Sequence, residues 1–233
     1  MKLTSTQIQE LYKFTIQHYV EYYDVQTELV DHLANDIEQI WDEHPNLSFE
    51  DARDKSFKKF GIFGFMDVVQ AKEWQMTKKY FKLVVKFTKE WFQLPKIVLT
   101  ILLFFGFYTL QNSAEAYTIY NIIFFSIFIV SVFIMVYQSI QFKKKQKITQ
   151  KKWLFEKVMQ TQGFGSFSLF LYYMYLFFLP DSTKEFLAMG DFRRVLSALL
   201  ITFLVIFTYI TLIVIPKKAT QLLQETYPEY KFV

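Results

Sequence analysis

The hydrophobic pattern changes character along this chain. Over residues 5–22, Ile8, Leu11, Tyr12, Thr15 and Tyr19 recur at spacings of three and four, which predicts an amphipathic helix. A second helix is expected from Asp24 to Glu43. Its apolar residues Val25, Leu29, Leu33, Ile37 and Ile40 share one side, and Asp24, Glu28, Asp31, Asn35, Glu38 and Asp42 lie within about 80° on the other. A third helix opens at Ser48, with Asp51 in the capping-box position and Leu47 placed to staple onto Ala52. It stops at Gly61, after Lys58, Lys59 and Phe60.

Beyond residue 73 the pattern turns basic and then uniformly apolar. Over 74–94, Lys78, Lys82, Lys86 and Lys89 recur at helical spacing, with Phe81, Val84, Val85, Trp91 and Phe92 around the same helix. This reads as a juxtamembrane helix on an anionic membrane surface, Lys78, Lys82, Lys86, Lys89 and Trp91 being its surface contacts, or as a plain solvated connector. Four stretches then contain no Asp, Glu, Lys or Arg: 97–114, 116–142, 158–180 and 195–216. At about 1.5 Å per residue the shortest reaches about 27 Å, close to the roughly 30 Å of a hydrocarbon core. No polar stripe interrupts Leu102–Phe105, Ile122–Phe125 or Leu199–Ile201, which argues against helices buried in a soluble fold. The expected fold is therefore all-α: an integral membrane protein with a small N-terminal cytosolic helical domain (1–73), spans at about 96–114, 117–140, 160–180 and 195–216, and a cytosolic tail (217–233).

Basic residues orient these spans. Lys78, Lys79, Lys82, Lys86 and Lys89 precede the first, and Lys143, Lys144, Lys145, Lys147, Lys151, Lys152 and Lys157 lie between the second and third. By the positive-inside rule both segments, and both termini, belong in the cytoplasm of a cell with an inner membrane. The connectors 112–115 and 181–194 then face outward. Trp91, Tyr117, Tyr137 and Trp153 fit interfacial anchors.

Charge sharpens the division. Residues 1–73 carry 14 acidic and 7 basic side chains, whereas the remaining 160 carry 8 and 19. An acidic head of this kind repels phosphate, which disfavours nucleic acid as a partner. The chain has no cysteine, so thiolate metal sites, disulfides and cysteine nucleophiles are excluded. The first residues lack the apolar core of a secretory signal, so the N-terminus is expected to be retained. Neither GxSxG nor HExxH occurs, and no span holds an ionisable residue. No enzyme and no cofactor is therefore expected. The polar residues inside the spans, among them Asn121, Ser126, Ser131, Ser166, Ser168, Thr202, Thr208 and Thr211, suit helix packing or, alternatively, a permeation path.

The run Glu28-Leu29-Val30-Asp31-His32-Leu33, followed by Asp36-Ile37-Glu38, Leu47-Ser48-Phe49-Glu50-Asp51-Ala52 and Phe57-Lys58-Lys59-Phe60-Gly61, resembles the small helical signalling domain called HAAS, or permease prefix domain. The resemblance covers residues 5–73, under a third of the chain. Such domains often precede membrane spans and accompany PadR-type transcription regulators or permeases, so the resemblance implies a regulatory or assembly role.

Two surfaces are candidates for binding. Asp24, Glu28, Asp31, Glu38 and Asp42 form a carboxylate stripe with no cation at i+4 on that face, which suits docking of a basic protein partner, of the chain's own 143–157 segment, or of nothing but water. Glu28, His32 and Asp36 share a helix face and offer part of a divalent metal site if His18 or His44 approaches; otherwise His32 is an edge residue of the polar stripe, and no metal is assigned. The leading expectation is a non-enzymatic inner-membrane regulatory or assembly protein whose head docks a basic partner within a larger membrane complex, with an oligomer compatible. The alternative is a permease subunit or accessory subunit of a transport complex. Because the chain lacks cysteine, single cysteines at 113 and 187 should react with a membrane-impermeant thiol reagent in intact cells. Labelling of position 187 only after permeabilisation would overturn the topology.

Overall fold

The structure, a computed structural model, describes residues 2–162, 173, 180 and 182–232. Among these every regular element is helical. The order is α1 (Ser5–Gln17), α2 (Tyr23–Glu43), α3 (Phe49–Lys58), α4 (Met66–Trp91), α5 (Lys96–Leu110), α6 (Ala116–Thr149), α7 (154–162), α8 (Thr183–Leu187) and α9 (Asp191–Tyr209). A π-turn (Ile210–Val214) leads from α9 into α10 (Ile215–Lys217), followed by α11 (Ala219–Thr226) and a 3₁₀ turn (Pro228–Phe232).

The head begins with reciprocal capping: Gln7 N donates to Thr4 Oγ1 and Thr4 N donates to Gln7 Oε1. α1 ends five residues earlier than its periodicity suggests. Tyr19 takes a left-handed φ of 64°, and Val20 N turns back to the Thr15 carbonyl at 3.1 Å, so Tyr19 leaves the apolar face and is exposed. In α2 the expected apolar face is the buried one: Val25, Leu29, Leu33, Ile37 and Ile40 are all within 3% of complete burial. Ser48 caps α3 by accepting from Asp51 N, and Gly61 turns the chain at φ 78°. Gly64 follows at φ 56°, where a Cβ would sit 2.9 Å from the Phe57 ring, so both the backbone and the aromatic cluster of Phe14, Phe57 and Phe65 require glycine.

α4 starts at Met66, so the expected boundary at 73 falls inside a continuous helix. It breaks at Gln93-Leu94-Pro95, because proline supplies no N–H and pushes the preceding residue out of helical conformation. α5 leaves at 86° to α4. The expected first span is a helix of 15 residues ending at Leu110, about 22 Å long, rather than one reaching residue 114. Among the described residues two helices are long and apolar enough to cross a membrane, Ala116–Thr149 and the continuous Asp191–Lys217, or three if α4 and α5 form one broken span. The expected third span, 160–180, lies almost wholly outside the described residues.

α6 runs unbroken through Lys143, Lys144, Lys145 and Lys147, so these lysines occupy its last two turns and not a loop. Its apolar side chains, such as Ile122, Phe125, Ile129 and Phe133, point outward and are exposed, as lipid-facing positions are. At one end of the bundle the buried Gln111 ties α5 to its neighbours: its Nε2 donates to Tyr120 Oη at 3.1 Å and to the Arg194 carbonyl at 3.0 Å, while Arg194 also donates to Asn112. The connectors 112–115 and 182–194 thus meet at one end. At the other end gather the head, the lysine-rich end of α6, the start of α7 and the C-terminal tail.

Within the helices, Asn121, Ser131, Thr202, Thr208 and Thr211 each donate to the carbonyl four residues before them. Gln138 does something different. Pro216 removes the N–H that an α-helix would donate to the Leu212 carbonyl, and Gln138 Nε2 reaches across from α6 to donate to that oxygen at 2.7 Å. Replacing Gln138 by Leu should therefore destabilise the detergent-solubilised protein by about 1–3 kcal/mol. Adding Pro216→Ala restores a backbone donor and should recover most of that loss in thermal melts. A double variant no more stable than Gln138→Leu alone would disprove this compensation.

Candidate functional site: the junction of head, loop and tail

Residues 150–153 form a short strap between α6 and α7, entered through Gln150 at φ 53°. The strap passes under the N-terminus of α2. Tyr23 N donates to the Lys152 carbonyl at 2.8 Å, and Leu154 N donates to Asp24 Oδ1 at 3.0 Å. Phe155 N in turn donates to Tyr227 Oη at 3.2 Å. The backbone donors at the start of α7 are thus satisfied by one side chain from the head and one from the tail.

Trp153 fills the space between them. Its ring lies 5.3 Å from Tyr23, 4.8 Å from Tyr227 and 5.3 Å from Tyr230, and it is 2% exposed. One hydrophobic cluster consequently runs from Leu11 and Leu33 of the head through Tyr80 and Val84 of α4 to Trp153, Phe155, Ile206, Ile215 and Leu223. Burying an indole of roughly 200 Å² at about 25 cal/mol per Å² contributes up to about 5 kcal/mol. The ion pair between Lys152 and Glu21, at 2.8 Å and half exposed, belongs to a class worth about 0–1 kcal/mol. Aromatic packing, with its buried hydrogen bonds, holds the junction.

Burial raises the Asp24 carboxyl above its ordinary value, and the hydrogen bonds from Tyr227 and Leu154 only partly offset it. Tyr227 is pushed up by its own burial and then by the Asp24 charge. Nearby, burial also raises Glu156, against the pull of Lys145 at 3.6 Å.

The carboxylate stripe is divided by these contacts. Asp24 is part-buried and its carboxylate is committed to the junction. Glu28 pairs with Lys72 at 2.7 Å, and Glu38 accepts from Lys2 Nζ at 2.8 Å and from Leu3 N at 3.2 Å, which holds its carboxyl below the usual range. Asp31 and Asp42 are exposed, and Asp42 adds to the negative field around Lys2. The cations absent from the α2 face itself thus come from the N-terminal segment and from α4. Glu28 and Asp36, which would share a metal with His32, are each held by a lysine, Asp36 by Lys59 at 2.6 Å. His32 lies against Phe60, 5.7 Å between ring centres. Among the described residues no acidic and histidine side chains cluster as a metal site would.

Lys78, Lys82, Lys86 and Lys89 are all exposed on α4. They flank a row of exposed apolar side chains, Trp74, Phe81, Val85 and Phe92, and Lys78 Nζ sits 5.0 Å over the Trp74 ring. Trp91 departs from its expected place: it is buried, meets Tyr209 edge to face at 5.2 Å and donates to Thr100 Oγ1, because its position faces α9 and not the lysine side. Trp153 is likewise internal and does not lie at a lipid interface. In the sequence Trp153 carries the signal of an anchor, and Tyr227 and Tyr230, three residues apart in the tail, carry none that points to it.

No protein-family model, curated protein or solved structure matches this chain.

Asp24 gives the junction a pH signature. Its folded value is raised, so folding takes up a proton, and its contribution is fullest below the ordinary aspartate value and lost as pH rises through the folded one. Asp24→Asn keeps an acceptor for Leu154 N without the buried charge. Its stability relative to wild type should therefore rise with pH in denaturation experiments, whereas Asp24→Ala should lose about 1–3 kcal/mol. A constant gap between Asn variant and wild type across mildly acidic to neutral pH would contradict the assignment.

Proposed function

We propose that this is a non-enzymatic regulatory or assembly protein of the cytoplasmic membrane, multi-pass with both termini inside, whose helical head offers a carboxylate face to a basic protein partner. The observation that carries this reading is the way the α2 face is neutralised. Glu28 and Glu38 are paired with Lys72 and Lys2 through single contacts, and Lys2 has 89% of its side chain in solvent. Exposed pairs of this kind contribute about 0–1 kcal/mol each, so a partner bearing several cations can displace them at little cost. Beside them Asp31 and Asp42 present further carboxylates to solvent. Asp24 is excluded from this face, since its carboxylate is committed to the strap.

The likeness of residues 5–73 to HAAS domains supports a regulatory role for the head. α4 supports its placement on the membrane: it lies nearly at right angles to α5 and presents Lys78, Lys82, Lys86 and Lys89 around an apolar row, which suits a helix in the plane of an anionic inner leaflet while α5 enters the bilayer. Intramembrane hydroxyls that bond their own helix backbone favour this binding role over that of a permease.

Replacing Glu28, Asp31 and Glu38 together by Gln, Asn and Gln tests the reading. The variant should melt like the wild type in detergent but lose its partner in cross-linked membranes, and wild-type capture should fall as salt approaches about 1 M, where screening reaches about 3 Å. Retention of every cross-linked partner and of cellular activity by the triple variant would show that the stripe is only solvated surface.

A further inference from the structure

A cavity of about 530 Å³ opens where the membrane helices meet the head. Among the described residues its walls come from the end of α6, from α7, from the π-turn with Pro216, and from Glu21 and Tyr22 just before α2. Its two halves differ in chemistry. Met135, Val136, Met159 and Leu212 give it an apolar wall, and among the described residues Lys143, Lys152 and Lys157 stand in its lining with Glu21 as the single acidic group.

These lysines mark a level in the membrane. Lys143 is the first charge after the uncharged stretch 116–142, and Lys157 is the last before 158–180. The cavity therefore straddles the boundary between hydrocarbon and headgroups on the head side of the bilayer. Lys152 is already engaged by Glu21, whereas Lys143 and Lys157 form no ion pair among the described residues. Gln138, Ser139 and Gln146 add polar groups to the same wall.

We propose that this cavity is a binding site for an anionic glycerophospholipid, whose phosphate is held by Lys143 and Lys157 and whose glycerol and upper acyl chains lie against Met135, Met159 and Leu212. A soluble anion would leave the apolar wall without a ligand, and a zwitterionic lipid would place its own cation beside the lysines. An anionic lipid answers both halves. The volume holds a headgroup with the first part of its chains, and the remaining chain length leaves through the open side into the bilayer. Since π-turns are often found at functional sites, the irregular backbone beside Leu212, with its carbonyl held by Gln138, is a fitting place for a ligand.

The test uses the full chain in neutral detergent micelles, where no charged bilayer attracts surface lysines indiscriminately. Binding of dioleoyl phosphatidylglycerol and of dioleoyl phosphatidylcholine would be titrated by native mass spectrometry. The double variant K143Q/K157Q should weaken phosphatidylglycerol binding about 30-fold, the effect of removing two lysine–phosphate contacts. The control K144Q/K147Q removes two cations from the same helix end but not from the cavity, and should change it less than about twofold. S139W fills the cavity without altering charge and should abolish binding, which keeps the test decisive if the double variant folds poorly. Three outcomes would overturn the proposal: equal losses in both double variants, equally tight binding of phosphatidylcholine, or displacement of the lipid by millimolar inorganic phosphate, which would mark a plain anion site.

Discussion

The arrangement of this protein depends on Trp153 being enclosed between the head and the tail. Three tyrosines from two separate parts of the sequence close around it, and the same enclosure removes water from the backbone donors of Leu154 and Phe155. Those donors must then be satisfied by protein, which is the task of Asp24 and Tyr227. Packing comes first energetically and the hydrogen bonds are its consequence. Their loss would nevertheless be costly, because a buried unpaired group bears its full desolvation penalty. The head is thereby fastened to the base of the membrane helices by a strap of four residues, although α2 and Trp153 are more than a hundred residues apart in sequence.

Local elements were legible in the sequence because they depend on local rules. The apolar face of α2, the Ser48 cap of α3, the Gly61 turn and the uncharged lengths of α6 and α9 all follow from periodicity, capping or composition, and the structure has each of them. The misplacements have other causes. Tyr19 fits the period of α1 but falls beyond its stop; Trp91 and Trp153 have the composition of interfacial anchors but face other helices; Asp24 has the spacing of a surface stripe but begins its helix against the strap. Tyr19 is displaced by a local left-handed turn, whereas for Trp91, Trp153 and Asp24 a contact with another element decided the position, and one sequence carries no signal for such pairings. The same holds for Gln138, whose partner is a carbonyl freed by Pro216 on another helix.

The lysines divide by how firmly they are held, and this division orders the surfaces that remain. Lys152 and Lys145 sit within the junction and contribute to its architecture. Lys2, Lys59 and Lys72 lie over head carboxylates through exposed single contacts. Those on the outer face of α4, with Lys143 and Lys157 at the cavity, form none of the ion pairs described, and they lie beside exposed apolar side chains. A cation next to an apolar surface at a membrane boundary is matched by an anionic headgroup and its chain, whereas a cation already over a carboxylate is matched by exchange for another cation. One chain therefore carries two electrostatic surfaces of opposite sign, joined by the strap.

One short segment serves both surfaces. Glu21 and Tyr22 line the cavity while the next two residues, Tyr23 and Asp24, hold the strap, so the same short segment before α2 touches both. A phosphate held by Lys143 and Lys157 would repel Glu21 on the same wall, whose carboxyl Lys152, and with it the Lys157 charge, holds below its ordinary range. Release of Glu21 loosens one exposed contact worth about 0–1 kcal/mol but leaves the Trp153 enclosure intact. The head would then remain attached while the electrostatic field at the entrance to α2 changes.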